Sequence, residues 1–332
     1  MQRGCRAIRP RRGRRVGVAT ATWFLVVAPH PAWAADGLDL TLPPLSAADR
    51  PVTAAAGMPL DRNVIADYLE SWSDRAARAR ETQPGWSSPL ITTTGLMEQR
   101  LRFDLAEQHA GNGTDTTALD GGRGLDLIVS ETNEIQLALP PYDFRTGVPM
   151  PGKSIAPISG FADWAFMRIE QRLVSSPESD EDYVLTAWLQ IQAPTGIARL
   201  TSGAWTYLPT LAFGKGWGAF DVQGTVAGVL PAAHADTLGY EIQTNLAFQY
   251  HIMPVFWPEL EMNWTYYANG QRGGLNQVYL TPGVVVGRFS LNDDLKFTFG
   301  AGYQTAVAPS FRNKPLTPAF NHAWLFTSRL NF

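Results

Sequence analysis

Between Leu238 and Tyr267, apolar and polar residues exchange places at nearly every step. Leu238, Tyr240, Ile242, Leu246, Phe248 and Tyr250 hold even positions, with Glu241, Gln243, Asn245, Gln249 and His251 between them. After a turn at Met253-Pro254, Leu260, Met262, Trp264 and Tyr266 alternate with Glu259, Glu261, Asn263 and Thr265. Successive side chains of a strand point to opposite faces, so this period gives one apolar wall and one wet wall. Strands of soluble domains run about five or six residues, whereas a tilted membrane strand needs roughly nine to eleven. The runs here have the second length. The pattern predicts an all-β chain forming a transmembrane antiparallel β-barrel, apolar toward lipid and polar toward its lumen.

Both ends of the chain fit that expectation. Arg3, Arg6, Arg9, Arg11, Arg12, Arg14 and Arg15 precede an apolar stretch, Val16 to Ala28, and then Ala32-Trp33-Ala34. This reads as a secretory signal over residues 1–34, too short for a membrane helix and unlike a basic nucleic-acid-binding tail. Removing its seven Arg takes the net charge from −3 to −10, which disfavours nucleic acid as a partner. The single cysteine, Cys5, lies in the signal, so disulfides, Cys-based metal sites and cysteine nucleophiles are excluded from the mature chain. At the other end Trp324, Phe326, Leu330 and Phe332 share one parity, against Asn321, Thr327, Arg329 and Asn331. A closing strand ending in an aromatic resembles the signal read by the bacterial barrel-assembly machinery, an expected partner alongside outer-membrane lipid.

Residues 35–88 form a separate region. Its first part, 36–60, is a Pro- and Ala-rich linker. From Asp61 to Arg80 the period turns helical, with Val64, Ile65, Tyr68, Leu69 and Trp72 on one face. Such a periplasmic helix is suited to plug the lumen, dock under the barrel or bind a periplasmic partner. The barrel is expected over 89–332, with twelve strands near 92–106, 123–130, 134–140, 161–174, 183–193, 203–213, 217–229, 237–252, 255–267, 276–288, 293–306 and 320–332. Connections after even strands are mostly tight, including Glu131-Thr132-Asn133, Gly214-Lys215-Gly216 and Met253-Pro254, with Ser175 to Asp182 the longest. Those after odd strands are longer, including Glu107 to Gly122, Pro141 to Gly160 and Ala308 to Ala319. This asymmetry places the chain in the bacterial outer membrane with both termini periplasmic. A soluble lipocalin-like barrel would not collect Trp205, Tyr207, Phe248, Trp264 and Tyr266 on its outer face.

Parity directs Arg100, Arg102, Asp104, Trp188, Gln190, Gln192, Asp221, Gln223, Thr225, Glu241, Gln243, Asn245, His251, Glu259, Glu261, Asn263, Lys296 and Arg329 into the lumen. Charges of both signs there either pair across a filled interior or line a path that selects solutes. Glu241, Glu259 and Glu261 share a facing, but the nearer expectation is pairing with Arg100, Arg102 or Arg329, with no metal and no cofactor. The inward Trp188 either stacks on an aromatic solute or fills space. His109, His234, His251 and His322 lack the Ser spacing of a lipid-acting barrel enzyme and no G-x-S-x-G occurs, so no catalytic residues are assigned.

Pro84-Gly85-Trp86-Ser87-Ser88-Pro89-Leu90-Ile91-Thr92-Thr93-Thr94-Gly95 leading to Glu98-Gln99-Arg100, Gly160-Phe161-Ala162-Asp163-Trp164 and Gln192-Ala193-Pro194-Thr195-Gly196 resemble segments of the transporter family named for the meta pathway of phenol degradation. The fourth strand departs from that family's cleaner alternation by carrying Arg168, Glu170 and Arg172. The resemblance covers most of the chain from Pro84 to Phe332. It implies an outer-membrane barrel for passive uptake of small, hydrophobic or aromatic solutes. The alternatives are a lipid-acting outer-membrane enzyme and a structural or partner-binding barrel with a blocked lumen.

Overall fold

The computed structural model describes residues 67–68, 71–121, 123–150, 153–292, 295–310 and 317–332. The expected signal, the linker and the start of the expected helix lie outside them. Among the described residues, fifteen strands follow the helix α1 (Trp72–Glu81). They are β1 (Arg100–His109), β2 (Asp115–Leu119), β3 (Gly124–Ser130), β4 (Asn133–Ala138), β5 (Tyr142–Met150), β6 (Lys153–Phe161), β7 (Trp164–Ser176) and β8 (Tyr183–Ala193). They continue with β9 (Thr206–Trp217), β10 (Phe220–Pro231), β11 (Glu241–Tyr250), β12 (Phe256–Tyr267), β13 (Asn276–Ser290), β14 (Lys296–Ala308) and β15 (His322–Asn331). All pairs are antiparallel, and β15 returns to β1 along its whole length, Arg100 opposite Asn331 through His109 opposite His322. The sheet has no free edge there, which is the condition for strands to cross a bilayer.

The fifteen strands form twelve staves. β2 and β3 both flank β1, β5 continues β4 beside them, and β6 continues into β7, so each pair is one stave broken once. The breaks fall at 120–123, 139–141 and 162–163. Pro140 and Pro141 have no N–H to donate, and Asp120 has a positive φ of 58°. At the third break the Asp163 carboxylate accepts the Gly196 and Ser202 N–H groups at 3.1 and 2.7 Å and the Ser202 hydroxyl at 2.6 Å. The stretches 107–122 and 141–160, expected as loops, therefore contain β2, β5 and β6. Their short runs and internal Gly and Pro hide the period.

Three further expectations are corrected. The wall begins at Arg100, so residues 92–99 are not strand and the barrel does not begin at 89; Pro84, Pro89 and an aperiodic Ser/Thr run cannot supply a ladder. Gly214-Lys215-Gly216 is not a turn, because β9 runs through it to Trp217 and turns at Gly218. The fourth stave keeps a two-residue alternation from Arg168 to Leu173, with Arg168, Glu170 and Arg172 buried and Ile169 and Leu173 exposed, between register shifts at Trp164/Met167 and Arg172/Val174.

The facing follows the two-residue period. Leu260 is 45% exposed and Glu261 0%; Phe103, Leu137, Leu211, Ile242, Phe248 and Phe326 are exposed with Leu260, and their polar neighbours turn inward. One end of the wall carries the short turns, including Glu131-Thr132 and Gly218-Ala219, and the other the longer connections 194–205, 232–240, 268–275 and 309–321. α1 docks at the turn end against β3, with Ala76, Ala79, Met97 and Ile128 in one buried cluster flanked by Trp72. Small Ala side chains let the helix approach closely, and the Arg172 guanidinium donates to the Ala79 carbonyl at 2.7 Å.

A lipid-facing charge is worst at mid-membrane. Leu211→Arg, in the middle of β9, is expected to lower the unfolding free energy in vesicles by about 2–4 kcal/mol. Trp217→Arg at the turn end should cost no more than about 1 kcal/mol, and denaturant titration of the folded barrel reads both.

Candidate functional site in the barrel lumen

The lumen holds a loop of the chain itself. Gln83 donates to the Met97 carbonyl at 2.8 Å and accepts the Met97 N–H at 2.9 Å, so the two feet of residues 84–96 are joined at the turn end. Between them the chain rises into the barrel, where Ser87, Ser88, Leu90, Thr92 and Thr94 are buried. Two apolar side chains anchor it. A Cβ on Gly214 would come within 2.4 Å of the Trp86 ring, and one on Gly216 within 2.8 Å of its indole nitrogen. A Cβ on Gly283, Gly300 or Gly302 would lie 2.4–2.7 Å from Leu90. These glycines face inward on β9, β13 and β14, and their missing side chains are the sockets that receive Trp86 and Leu90.

The loop backbone is satisfied by wall side chains, as buried peptide groups must be. Glu261 accepts the Ile91 and Thr92 N–H groups at 2.7 and 2.6 Å, and Glu259 accepts that of Leu90 at 3.0 Å. Carbonyls are met by cations: Arg102 donates to Pro89 and Leu90, Arg329 to Ser88 and Pro89, and Arg123 to Ile91. Thr186 donates to the Gly95 carbonyl at 2.6 Å, and Gln223 donates to the Ser87 carbonyl at 2.9 Å while accepting the Thr94 hydroxyl at 2.7 Å. The expected pairing of Glu259 and Glu261 with Arg102 or Arg329 across the lumen does not occur; carboxylates and guanidiniums meet through opposite ends of the loop's peptide groups.

A second network lies beside it. Asp126 binds Arg100 at 2.7 Å and accepts Gln136 at 2.7 Å; Arg168 reaches Glu134 at 3.0 Å and Glu170 at 3.1 Å. Arg100 also pairs with Glu98, and Glu134 accepts the Glu98 N–H at 2.6 Å. All five wall charges are buried, so each needs its partners. Trp188 is buried with the Arg168 guanidinium over its ring, 5.1 Å from the ring centre. Half-buried Gln190 stands opposite Arg168 in the register.

The other expected positions separate by height. Asp221, with Gln223, Gln249 and Glu259, continues the hydrogen-bonded belt around the loop. Asn245 donates to Thr225, Asn263 to Asn245 and Gln304 to Asn263, all within 2.9–3.0 Å. Glu241 accepts Gln243 near the loop end, opposite Tyr267, whereas Glu261 stands opposite Ala247, so Glu241 does not join the Glu259–Glu261 pair. Lys296 is exposed at the turn-end mouth. Parity placed the wall residues, but missed Asp126, Glu134, Gln136 and Arg123, whose short staves show too little alternation. Trp86 and Leu90 carry no period at all; the signal available for them was the glycines at inward parity on β9, β13 and β14.

No protein-family model and no curated protein sequence matches the chain. Among solved structures, an outer membrane channel from Pseudomonas putida F1 is similar at 12% identity, over 74% of this chain and 98% of that one, with a TM-score of 0.44. A NanC porin is similar at 10% identity, over 69% and 98%, TM-score 0.41. The outer membrane phospholipase A from Escherichia coli shows 8% identity over 78% and 98%, TM-score 0.35.

Glu261→Ala leaves two buried N–H groups without an acceptor, each costing on the order of 1–3 kcal/mol. Hydrogen exchange at Ile91 and Thr92 is expected to accelerate by one to two orders of magnitude, while that of β10 and β11 stays slow.

Proposed function

We propose that this chain is an outer-membrane channel for small solutes, with its turn end and both termini in the periplasm, whose conductance is set by the loop 84–96. The observation that carries the reading is how the lumen is filled. An interior meant only to be solid would be packed with wall side chains, as in small barrels. Here a separate loop, footed at one end and held by side-chain hydrogen bonds and two apolar knobs, occupies it. A cavity of about 220 Å³ borders the loop at the turn end, and another of about 360 Å³ lies toward the other end of the barrel, bordered by Gln192, Thr206, Glu241 and Arg272.

The inner wall favours solutes that can exchange hydrogen bonds with Gln, Asn, Thr and charged groups. The resemblance to the phenol-pathway family extends the reading to aromatic molecules bearing a polar group. A closed structural barrel is the second reading, favoured by the same loop if it never moves. Contact with the assembly machinery through the strand ending in Phe332 is part of the proposal.

In planar bilayers the full chain is expected to show small, resolvable openings. Replacing residues 84–96 by two glycines between the joined feet should raise conductance several-fold, and Gly283→Val, which displaces Leu90, should raise it less. Silence from all three proteins, with each barrel folded, would leave the closed structural reading. Cleavage of the bilayer lipid would replace both with an enzyme.

A further inference from the structure

The cations of the lumen differ in how their charge is met; Arg172 and Arg272, away from the turn-end cavity, donate to neutral oxygens. Arg100, Arg102, Arg123 and Arg168 each make an ion pair with an inward Asp or Glu. Arg80, Arg288, Lys296 and Arg329 pair with no Asp or Glu among the described residues, and all four border the 220 Å³ turn-end cavity. Their partners are neutral or terminal. Arg288 donates to the Trp86 carbonyl at 2.5 Å, Arg329 to the Ser88 and Pro89 carbonyls, and Arg80 to the Ala76 carbonyl at 3.1 Å and the terminal Phe332 oxygen at 3.3 Å. A carbonyl satisfies a donor but cancels no charge. The one carboxylate side chain on the lining, Glu98, is already held by Arg100 and Ser88. Among the described residues, the positive charge of Arg288, Lys296 and Arg329 is thus concentrated and under-compensated around one small space.

The other side of that space is apolar. Trp86, Leu96 and Met97 border it and are buried. Wall strands β13 to β15 supply the charge, and the feet of the lumen loop supply the apolar surface. A ligand matching both must carry an anionic head, which guanidinium and ammonium groups bind by charge-assisted hydrogen bonds, and a compact apolar body.

We propose that the turn-end cavity is a binding site for a small organic carboxylate, its head between Arg288, Lys296 and Arg329 and its body against Trp86, Leu96 and Met97. Occupancy bridges the wall and the feet of the loop, so the bound carboxylate holds the loop in place. The site does not require the barrel to conduct.

Calorimetry on the detergent-solubilised full chain tests this with cyclohexanecarboxylate, its neutral amide and inorganic phosphate. The carboxylate is expected to bind with one-to-one stoichiometry, at least tenfold tighter than either the amide, which lacks the charge, or phosphate, which lacks the body. Lys296→Gln, at an exposed position whose loss leaves the loop's anchors intact, should weaken it at least fivefold, and Arg288→Gln at least tenfold. Equal binding of acid and amide, equal binding of phosphate, or unchanged affinity in Lys296→Gln with the barrel folded would overturn the assignment. Carboxylate binding by a barrel that shows no conductance would keep the site and remove the channel reading; conductance without binding would do the reverse.

Discussion

Every backbone N–H and C=O crossing a bilayer must find its partner within the protein. Closure of β15 on β1 meets that requirement for the wall, and it decides where everything else can go. With the ladder complete and alternate side chains committed to lipid, the polar half of each stave has only the interior to occupy. Twelve staves enclose more space than those side chains fill. The chain places its own loop in the remainder, and the peptide groups of that loop raise the same requirement a second time. The wall answers with Glu259, Glu261, Arg102, Arg123 and Arg329, each aimed at a loop N–H or carbonyl.

That arrangement explains why so many charges can lie in one interior. A buried ion is tolerated when its partners saturate it, and removing one partner from such a network costs more than the pair contributes. In the cluster of Arg100, Asp126, Glu134, Arg168 and Glu170, Asp126 is met by Arg100 and Gln136, whereas among the described residues Glu170 has only the ion-pair contact with Arg168 and no hydrogen bond to its carboxylate. On β13 and β14, Gly283, Gly300 and Gly302 yield space to a single Leu90. Shape and charge hold the loop together: its peptide groups are the partners of Glu259, Glu261 and Arg329, so displacing it hands those wall ions to water or to a solute.

Legibility followed the length of the strands. β9 to β15 have ten or more residues each, and their inward and outward sets are plain in the alternation; Glu259, Glu261, Asn245 and Arg329 fall on its inward parity. The staves split into β2 with β3, β4 with β5, and β6 with β7 give five to nine residues before a break, apart from β7, too few for the period to stand out against Gly and Pro. Arg168 and Glu170 looked like a disturbance of the pattern because both are charged, yet alternation restricts only their facing. The helix expected over Asp61 to Arg80 shows its apolar period up to Trp72, whereas among the described residues its buried face is Ala76 and Ala79, which carry little hydrophobic signal and matter for how closely they let α1 approach β3.

By itself the amino-acid order determined the barrel, its number of staves, the sidedness of its long strands and the polarity of its interior, because each depends on a two-residue period that local chain geometry enforces. Only the tertiary structure decided what fills the interior. Residues 84–96 have no period, and their hydrogen bonds run to residues as much as 241 positions away. The sockets that hold Trp86 and Leu90 are made of absent side chains on distant strands. Contacts of that kind exist only once closure has brought the far wall within reach of the loop.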